Sequence, residues 1–489
     1  MRNLISIKDL LRDDIELLIK KSLSMKNKGI KQSEKQIKIA SLFFENSTRT
    51  RVSFETAAQN LGHYINGFSG IEGTSVKKGE PLIDTLKMFE GYGYQLIHMR
   101  HNLEGSSRYA SDNCQCNIVN GGDGSNSHPT QTLIDLMTIK EKKGKLENIK
   151  IALIGDLKYG RTVHSLLQAM ECFNSKIFLV SPESLAMSEW RKKDYSSKTG
   201  NELIISNNLN EVIKELDVLY VTRIQRERFP EGLEGDIEYK KVSGSYNINP
   251  ELLQQAKNDL LILHPLPRYK FNMEISMDIN QLDQCGYYDQ ATNGRFMRAA
   301  IIECLLNKKL NGKTREPNNN PQLWQSLSIK HGTKKGERMI YRLDNGTLID
   351  HIEHNRGDLV RSLLGINSQE GPILVASGIR SKTYGRKDVL AIHNVSLSPE
   401  QSYMLGLISD QATVNIIQTQ KVVRKGKVGL PDVIDNLVQC QNMRCISRPE
   451  HYEFATNKFY VESREPLKIR CHYCEHPMER SEITKALMG

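Results

Sequence analysis

Short apolar runs alternate with amphipathic segments over the first 310 residues, an order typical of α/β domains. Strands are predicted for the apolar runs at residues 37–44, 94–100 and 116–124. Helices are predicted at residues 49–62 and 129–144, where Gly62 ends the first and Pro129 lies in the first turn of the second. The pattern therefore predicts a first domain, residues 1–145, built on a doubly wound parallel sheet.

A second unit of the same kind follows. Residues 150–170 contain an apolar strand, a glycine-containing turn and a helix, which is how a doubly wound domain begins. Buried strands are predicted at residues 176–182, 217–223 and 259–267. Open α/β sheets bind ligands at the carboxyl ends of their strands. We expect a second domain at residues 146–289, and a helix at 296–310 within the segment 290–310 that completes the first domain.

The pattern changes after residue 310. Residues 311–322 are rich in Asn, Gly and Pro and have no apolar periodicity, so a linker is predicted at 311–335. Strand-like runs then return, with Asn345-Gly346 as a predicted hairpin turn, and indicate an α+β domain at residues 336–430. The final segment, residues 431–489, is predicted to be a small β domain that holds four of the nine cysteines.

Length and composition agree with a globular chain of several domains. The 489 residues suit three or four domains rather than one. The hydrophobic content of 38% excludes disorder along the whole chain. Nothing approaches the roughly 20 consecutive apolar residues of a membrane span, and charges interrupt the first apolar run, so a cytoplasmic location without a membrane partner is expected. The net charge of +10 is compatible with either nucleic acid or anionic metabolites.

The four late cysteines form two close pairs, Cys440-x4-Cys445 and Cys471-x2-Cys474, separated by 25 residues. Such spacing suits tetrahedral thiolate ligation in which each pair spans a tight turn. We expect one structural Zn²⁺ per chain. A zinc domain can instead bind nucleic acid, but the segment lacks a stripe of aromatic and basic residues, so no nucleic-acid partner is expected.

The strongest candidate for chemistry is the sequence Ser-Thr-Arg-Thr-Arg at residues 47–51, between a predicted strand and a predicted helix. Hydroxyls, backbone N–H groups and the helix dipole can converge there on one anion. A lone motif of this kind would be interpreted as a helix cap. Further cationic or imidazole side chains, however, follow other predicted strands: Arg100, His128, Arg161, Arg223 and His264. Strand ends in a parallel sheet face one crevice, so a polyanionic set of ligands is expected.

Six motifs in this order resemble the aspartate carbamoyltransferase family. They are FFENSTRTR, MRH, GDGSNSHPTQT, GDLKYGRTVHS, TRIQRER and HPLPR, spread over nearly all of residues 1–310. The segments TLIDHI, YGRKD and QATVN and the cysteine set are similar to that family's separate regulatory chain. The resemblance implies a fusion of both chains: two α/β domains of the carbamoyltransferase fold, an effector-type α+β domain and a zinc-binding β domain. It implies carbamoyl transfer to aspartate in pyrimidine biosynthesis.

The resemblance also implies individual roles. Phosphate-binding residues would be Ser47, Thr48, Arg49, Thr50 and Arg100. His128, with Thr50 and Arg100, would stabilise the carbonyl oxygen; Gln131 and the backbone carbonyls of Pro265 and Leu266 would position the carbamoyl amide. Arg161 and Arg223, assisted by Gln225, would bind the two carboxylates of aspartate. Arg49, Thr50, Arg100 and His128 would be the catalytic group, without a cofactor for the chemical step.

Two further expectations follow from the family. Ser75 and Lys78 would reach the active site of a neighbouring subunit, so a homotrimer is implied, with higher assembly through the zinc domains left open. Ornithine enzymes carry a cysteine in the turn that here reads His264-Pro265-Leu266-Pro267, and two arginines suit an anionic acceptor, so aspartate is favoured over ornithine.

The regulatory resemblance implies a site for ATP, CTP or UTP at Asp350, His351, Asn415 and Lys425. Two positions depart from the family: Ala391 stands where a lysine is usual, and Tyr341 replaces an acidic residue. A missing cation weakens triphosphate binding or changes its selectivity. Two interpretations stay open here, namely effector regulation and a domain retained for assembly only.

Overall fold

The computed structural model describes residues 1–224, 233–242, 246–268, 273–313, 324–329, 343–366, 371–381 and 385–488. The chain divides into two compact units, residues 1–314 and residues 315–489. No helix among the described residues is long and apolar enough to cross a membrane.

The first half of the first unit is a four-stranded parallel sheet in the order β2-β1-β3-β4. Its strands are β1 Lys38–Phe43, β2 Tyr64–Ser69, β3 Leu96–His101 and β4 Asn117–Asp123. Its helices are α1 Arg12–Lys28, α2 Thr48–Asn60, α3 Leu82–Gly91, α4 Ser106–Asn113 and α5 Pro129–Lys143. Strand β1 is buried at every position after Lys38, as its unbroken apolar run predicts.

The second half is a five-stranded parallel sheet in the order β7-β6-β5-β8-β9. Its strands are β5 Ile149–Ile154, β6 Ser175–Val180, β7 Leu203–Ser206, β8 Val218–Val221 and β9 Leu261–Leu263. Its helices are α6 Arg161–Met170, α7 Glu189–Lys198, α8 Leu209–Val212, α9 Leu233–Val242 and α10 Pro250–Leu253. The predicted pair of doubly wound parallel-sheet domains is confirmed.

One long helix, α11 Tyr287–Leu306, returns to the first sheet and packs against α1, α2 and α5. It begins nine residues before the predicted helix at 296–310 and ends four residues earlier. The sequence hides this start because Gly294 interrupts the helical pattern. The glycine packs closely there, since a Cβ would lie 2.7 Å from Arg298 Nη1 and the Arg298 side chain would have to shift.

The second unit begins with an antiparallel six-stranded sheet in the order β10-β15-β14-β11-β13-β12. Its strands are β10 Trp324–Ser326, β11 Gly346–Glu353, β12 Ile373–Ser381, β13 Gly385–His393, β14 Thr413–Gln418 and β15 Lys421–Val428, with helices α12 Gly357–Leu363 and α13 Pro399–Ile408. Strand β10 lies within the segment predicted as linker. The strand that would precede the predicted Asn345-Gly346 hairpin lies outside the described residues, and β11 pairs with β13 and β14.

The cysteine-bearing end is a small antiparallel sheet in the order β16-β17-β18-β19. Its strands are β16 Val433–Asp435, β17 Lys458–Arg464, β18 Leu467–Cys471 and β19 Pro477–Glu479, followed by α14 Arg480–Met488. Helix α14 packs against α13 of the six-stranded domain. The predicted α+β domain and small β domain are therefore confirmed.

Candidate active site and metal centre

The carboxyl ends of both parallel sheets open into one cavity of about 390 Å³. Of the fourteen substrate-binding residues predicted from sequence, eleven line it: Ser47, Thr48, Arg49, Thr50, Arg100, His128, Gln131, Arg161, Arg223, Pro265 and Leu266. They follow or end six different strands, and the fold thus brings together loops that are up to 219 residues apart in sequence. Four of these eleven residues are arginines, whose guanidinium groups make the cavity strongly favourable for anions.

The N-terminus of α2 points its first turn at this cavity. Ser47 occupies the N-cap position with extended backbone angles, but its side chain makes no capping hydrogen bond. The predicted alternative of a simple helix cap is therefore not what the structure shows for Ser47. Partial burial, and then the positive charge of Arg223, lower the pKa of the Arg49 guanidinium. Both guanidiniums therefore face the same space.

Glu45 is a cavity residue that the motif analysis missed. Its Oε1 lies 3.0 Å from Arg100 Nη2, and its Oε2 lies 3.2 Å from Arg161 Nη1. Arg161 Nη1 also donates to the carbonyl oxygen of Gly124 at 2.8 Å. One carboxylate thus bridges two arginines from different sheets. A single acidic residue beside a basic motif was the signal available in the sequence.

His128 lies buried where α5 begins, and its backbone N–H donates to Ser165 Oγ at 2.9 Å. Its Nε2 is 3.4 Å from Thr50 Oγ1. Burial, followed by the charges of Arg161 and Arg100, lowers the pKa of His128 well below its ordinary value. The imidazole is therefore neutral near pH 7, and one of its ring nitrogens carries an N–H group that can donate a hydrogen bond to an oxygen.

Gln131 and the turn after β9 form a further part of the cavity wall. Gln131 Nε2 donates to Asp135 Oδ1 at 2.8 Å, and the Pro265 and Leu266 turn follows β9. Two further lining residues missed by the sequence analysis come from α11: Gln290 and Arg298. Arg298 is buried, and burial lowers its pKa to about 9 although the charge of Asp135 opposes this shift.

Two of the predicted substrate-binding residues that the structure describes do not line the cavity. Ser75 and Lys78 lie in an exposed 3₁₀ helix, Ser75–Lys78, that is not part of the cavity wall. Gln225 lies outside the described residues. Among the described residues, the cavity of a single chain therefore lacks the lysine that the resemblance assigns to phosphate binding.

The four cysteines converge in the small β domain. All four are buried, and their sulfur atoms lie within 4.8 Å of one another. The Sγ–Sγ distance is 3.6 Å for Cys440 and Cys474 and 3.7 Å for Cys445 and Cys471. A tetrahedron with metal–sulfur bonds of about 2.3 Å has edges of about 3.8 Å, so the residues fit a four-thiolate metal site. His472, which lies between Cys471 and Cys474 in the sequence, is hydrogen-bonded to Tyr460, whose hydroxyl lies 2.9 Å from His472 Nδ1.

The predicted effector residues lie on neighbouring strands of the six-stranded sheet. Asp350 and His351 are on β11, and Asn415 on β14 faces Lys425 on β15 in register. The sequence analysis missed Lys387 of β13, whose Nζ lies 2.6 Å from Asp350 Oδ1.

Several basic side chains are close to this group. Burial is the main cause that lowers the pKa of His351. The charge of Asp350 opposes this shift, and the charges of Lys387, Lys425 and Lys427 lower the pKa further. Ala391 is buried in β13, and Tyr341 lies outside the described residues.

The fold and cavity define a carbamoyltransferase. Residues 2–141 match the family described as aspartate/ornithine carbamoyltransferase, carbamoyl-P binding domain, and residues 147–305 match its Asp/Orn binding domain. Residues 338–429 match the allosteric domain of the aspartate carbamoyltransferase regulatory chain, and residues 432–484 match the metal binding domain of that chain.

The relatives narrow this class to one family. The chain is 45% identical over 308 residues to an aspartate carbamoyltransferase catalytic subunit from Archaeoglobus fulgidus, covering 62% of this chain and 98% of the relative. It is 43% identical over 307 residues to that of Chromobacterium violaceum, covering 63% and 98%. The chain belongs to the aspartate carbamoyltransferase family, with catalytic and regulatory domains in one polypeptide. The predicted enzyme class is confirmed.

Solved structures agree with this placement. The catalytic subunit of M. jannaschii aspartate transcarbamoylase has a TM-score of 0.57 and 41% identity, covering 63% of this chain and 99% of the other. A Trypanosoma cruzi aspartate transcarbamoylase in complex with carbamoyl phosphate and aspartate has a TM-score of 0.57 and 34% identity, covering 62% and 95%.

Proposed function

We propose that this chain transfers the carbamoyl group of carbamoyl phosphate to the amine of L-aspartate, releasing N-carbamoyl-L-aspartate and phosphate for pyrimidine synthesis. The observation that carries this proposal is the convergence of Arg49, Arg100, Arg161 and Arg223 on one cavity. Carbamoyl phosphate and aspartate are both anions, and the T. cruzi relative was solved with both. Residues 1–145, completed by the helix in 290–310, would bind carbamoyl phosphate, and residues 146–289 would bind aspartate.

The phosphate would lie at the N-terminus of α2. Ser47, Thr48, Arg49 and Thr50 supply hydroxyl, guanidinium and backbone N–H donors, and the positive end of the helix adds to them. Arg100 would contact both the phosphate and the carbonyl oxygen. The hydroxyl of Ser47 is available for this role because it makes no capping bond.

Carbonyl attack by the amine creates an oxyanion. His128 and Thr50 would donate to that oxygen, and the lowered pKa of His128 keeps the imidazole a neutral donor. Removing one such donor typically costs about 10²- to 10³-fold in rate. Gln131 and the carbonyls of Pro265 and Leu266 would accept from the carbamoyl N–H₂ group.

The second substrate carries two carboxylates. Arg161 and Arg223 would each form a bidentate pair with one of them, as only arginine can, and Gln225, outside the described residues, would assist. The amine proton would leave with the departing phosphate, so the chemical step needs no enzyme base and no cofactor. A pH–rate profile that requires an enzyme base of pKa near 7 would contradict this.

The exposed Ser75–Lys78 segment supports a homotrimer in which this segment completes the neighbouring cavity. The edge strand β2 and the adjacent surface carry exposed apolar residues that suit a subunit contact, among them Tyr64 at 67% and Tyr92 at 63% exposure. Sedimentation equilibrium that finds only monomer would contradict this assignment. Higher assembly through the zinc domains is compatible with the fold but has no supporting contact among the described residues.

The metal would be zinc, and its role structural. Four thiolates complete a tetrahedral shell and join the turn at Cys440–Cys445 to the turn after β18. When bound, zinc would supply folding free energy to a small domain and no chemistry to the reaction. Native mass spectrometry that finds no zinc in the folded protein would contradict this assignment. Retention of DNA at physiological salt would instead support the nucleic-acid alternative.

ATP, CTP or UTP would bind near Asp350, His351, Asn415 and Lys425. Lys387, Lys425 and Lys427 supply positive charge although Ala391 removes one cation of the family site. Calorimetric titration of the whole chain with each nucleotide decides between regulation and a domain kept for assembly. Absence of binding by all three would favour assembly.

A variant panel tests the active site. We expect Arg49→Ala or Arg223→Ala to reduce kcat/KM for carbamoyl transfer by at least about a hundredfold, since each leaves an anionic group without its charged partner. The matched control is Arg295→Ala, an exposed arginine of α11 that does not line the cavity. Full turnover by Arg49→Ala or Arg223→Ala would contradict the assigned site.

A further inference from the structure

Asp135 is a buried carboxylate of α5 that none of the roles above uses. Its Oδ1 accepts from Gln131 Nε2 at 2.8 Å and from Gln290 Nε2 at 2.7 Å. Its Oδ2 accepts from the Tyr220 hydroxyl at 3.0 Å. An ionised carboxylate only accepts hydrogen bonds, so each neighbour must turn a donor towards it.

The first consequence concerns Gln131, which lines the cavity. Because Nε2 is bound by Asp135, the side-chain amide cannot flip without losing this hydrogen bond. The Oε1 atom is therefore the atom left to accept from a ligand. A glutamine rotated the other way would present donors and would repel an N–H₂ group.

The second consequence concerns the turn after β9. Gln290 binds Asp135 through Nε2, so its Oε1 accepts from the backbone N–H of His264 at 2.9 Å. His264 Nδ1 in turn accepts from the N–H of Leu266 at 2.7 Å. Leu266 has a φ of 56°, a conformation that non-glycine residues rarely adopt unless neighbouring contacts hold it. This chain of bonds holds the turn whose carbonyls belong to Pro265 and Leu266.

We propose that Asp135 is a positioning residue that makes the carbamoyl-amide subsite an all-acceptor site. It would do so by orienting Gln131 directly and the Pro265–Leu266 turn through Gln290 and His264. The inference rests on the proposed function and deepens it. Such a site selects phosphates whose acyl group carries N–H donors and rejects analogues that lack them, because buried acceptors without donors cost free energy.

Burial and the hydrogen-bond partners act on the ionisation of Asp135 in opposite directions. Burial raises its pKa to about 7, while the bonds from Gln290, Gln131 and Tyr220 and the charge of Arg298 oppose the rise. Those partners favour the ionised form, which is the form with acceptors only.

Two substitutions separate positioning from general stability. Asp135→Leu keeps a branched side chain but removes both acceptors. Asp135→Asn can keep its oxygen on the two glutamines while its N–H₂ group faces the oxygen of Tyr220. The probes are phosphonoacetamide, which carries the amide, and pyrophosphate, which engages only the phosphate residues. The matched control is Asp14→Leu, since Asp14 is a buried carboxylate that binds backbone N–H groups away from the cavity.

We expect Asp135→Leu to weaken the binding of phosphonoacetamide at least about tenfold and to raise the KM for carbamoyl phosphate similarly. The reason is that the acceptor oxygens of Gln131 and of the Pro265–Leu266 turn are no longer held towards the ligand. Pyrophosphate affinity should change less than about twofold, and Asp135→Asn should retain amide affinity within about threefold. Asp14→Leu should lower the unfolding temperature without changing either affinity. Equal weakening of both probes by Asp135→Leu, or no weakening of phosphonoacetamide, would overturn the proposal.

A second variant guards against failure of Asp135→Leu to fold. Gln290→Met preserves side-chain volume and removes the hydrogen bond to His264. The binding of phosphonoacetamide should therefore weaken about three- to tenfold, and the binding of pyrophosphate should not change. Equal effects on both probes, or none on phosphonoacetamide, would again overturn the inference. Wild-type protein that neither binds phosphonoacetamide nor transfers a carbamoyl group would instead remove the proposed function, which keeps the two failures distinguishable.

Discussion

At the scale of single residues, Glu45 connects the two sheets by bridging Arg100 and Arg161. We expect Glu45→Gln to raise the KM for aspartate about tenfold, because loss of the carboxylate leaves two nearby guanidiniums to repel each other and move apart. Steady-state kinetics measure this. The control is Glu55→Gln, which alters a half-buried pair with Arg51 within α2, outside the cavity. Equal kinetics for both variants and wild type would contradict the bridging role.

His98 is a buried histidine of β3 that stacks on Phe54, with ring centroids 3.8 Å apart. Neither ring nitrogen has a hydrogen-bond partner in the part of the chain that the structure describes. Burial, then Arg298 and Arg100, lower the pKa of His98 well below its ordinary value. Below about pH 6.5 His98 is therefore protonated in the unfolded chain but stays neutral in the folded chain. The free energy of unfolding consequently falls as pH falls.

We expect His98→Leu to flatten this dependence. The free energy of unfolding of the variant should rise relative to that of wild type by up to about 1 kcal/mol for each pH unit below 6.5. Urea unfolding at pH 8.0, 6.0 and 5.0 measures the difference. The pH 8.0 value reports the packing change alone, because His98 is neutral in both states there. A difference between variant and wild type that stays constant with pH would contradict the burial argument.

The residues that could be predicted from sequence are those in local motifs. Ser47 to Thr50, His128 and Gln131 stand at a helix start or a strand end, and the structure places them at the cavity. Glu45, Asp135 and Arg298 could not be found this way. Their importance comes from partners more than 50 residues away, and no local pattern records those partners.

At the scale of elements, the start of α2 separates capping from ligand binding. Ser47 makes no capping bond, whereas Ser398 caps α13 through its hydroxyl and a capping box. We expect Ser47→Ala to raise the KM for carbamoyl phosphate about tenfold with little change in stability. Ser398→Ala should cost about 1 kcal/mol of stability and leave the KM unchanged. Thermal unfolding and kinetics on both variants check this, and a reversed pattern would contradict it.

Element prediction succeeded where periodicity was strong. Buried parallel strands such as β1, β3 and β6 appear within two residues of the predicted bounds. Strands β7 and β10, four and three residues long, carry too few positions to show a period. Strand β10 exists because it pairs with β15 about 100 residues later, where Trp324 lies over Gly426 and under the guanidinium of Arg424.

At the scale of the whole molecule, the proposed trimer predicts complementation between inactive variants. Lys78→Ala removes a group that would serve the neighbouring cavity, and Arg49→Ala removes one from the chain's own cavity. Mixed trimers contain cavities with an intact Arg49 from one chain and an intact Lys78 from the next. We expect dissociated and reassociated mixtures to recover activity, up to about a third of the wild-type value, while each variant alone stays inactive.

The control mixes Arg49→Ala with Arg223→Ala, since both residues belong to the same chain's cavity. No mixed trimer of this pair contains a cavity in which both arginines are intact. Recovery there, or its absence with Lys78→Ala, would contradict the shared site.

The account depends on one cavity that accepts two anionic substrates. The most direct measurement is the initial rate of carbamoyl transfer by the whole wild-type chain, with L-aspartate and L-ornithine as acceptors in parallel reactions. We predict N-carbamoyl-L-aspartate and phosphate in a one-to-one ratio, and no detectable product from ornithine. Carbamoylation of ornithine at a comparable rate, or no transfer to aspartate, would contradict the account.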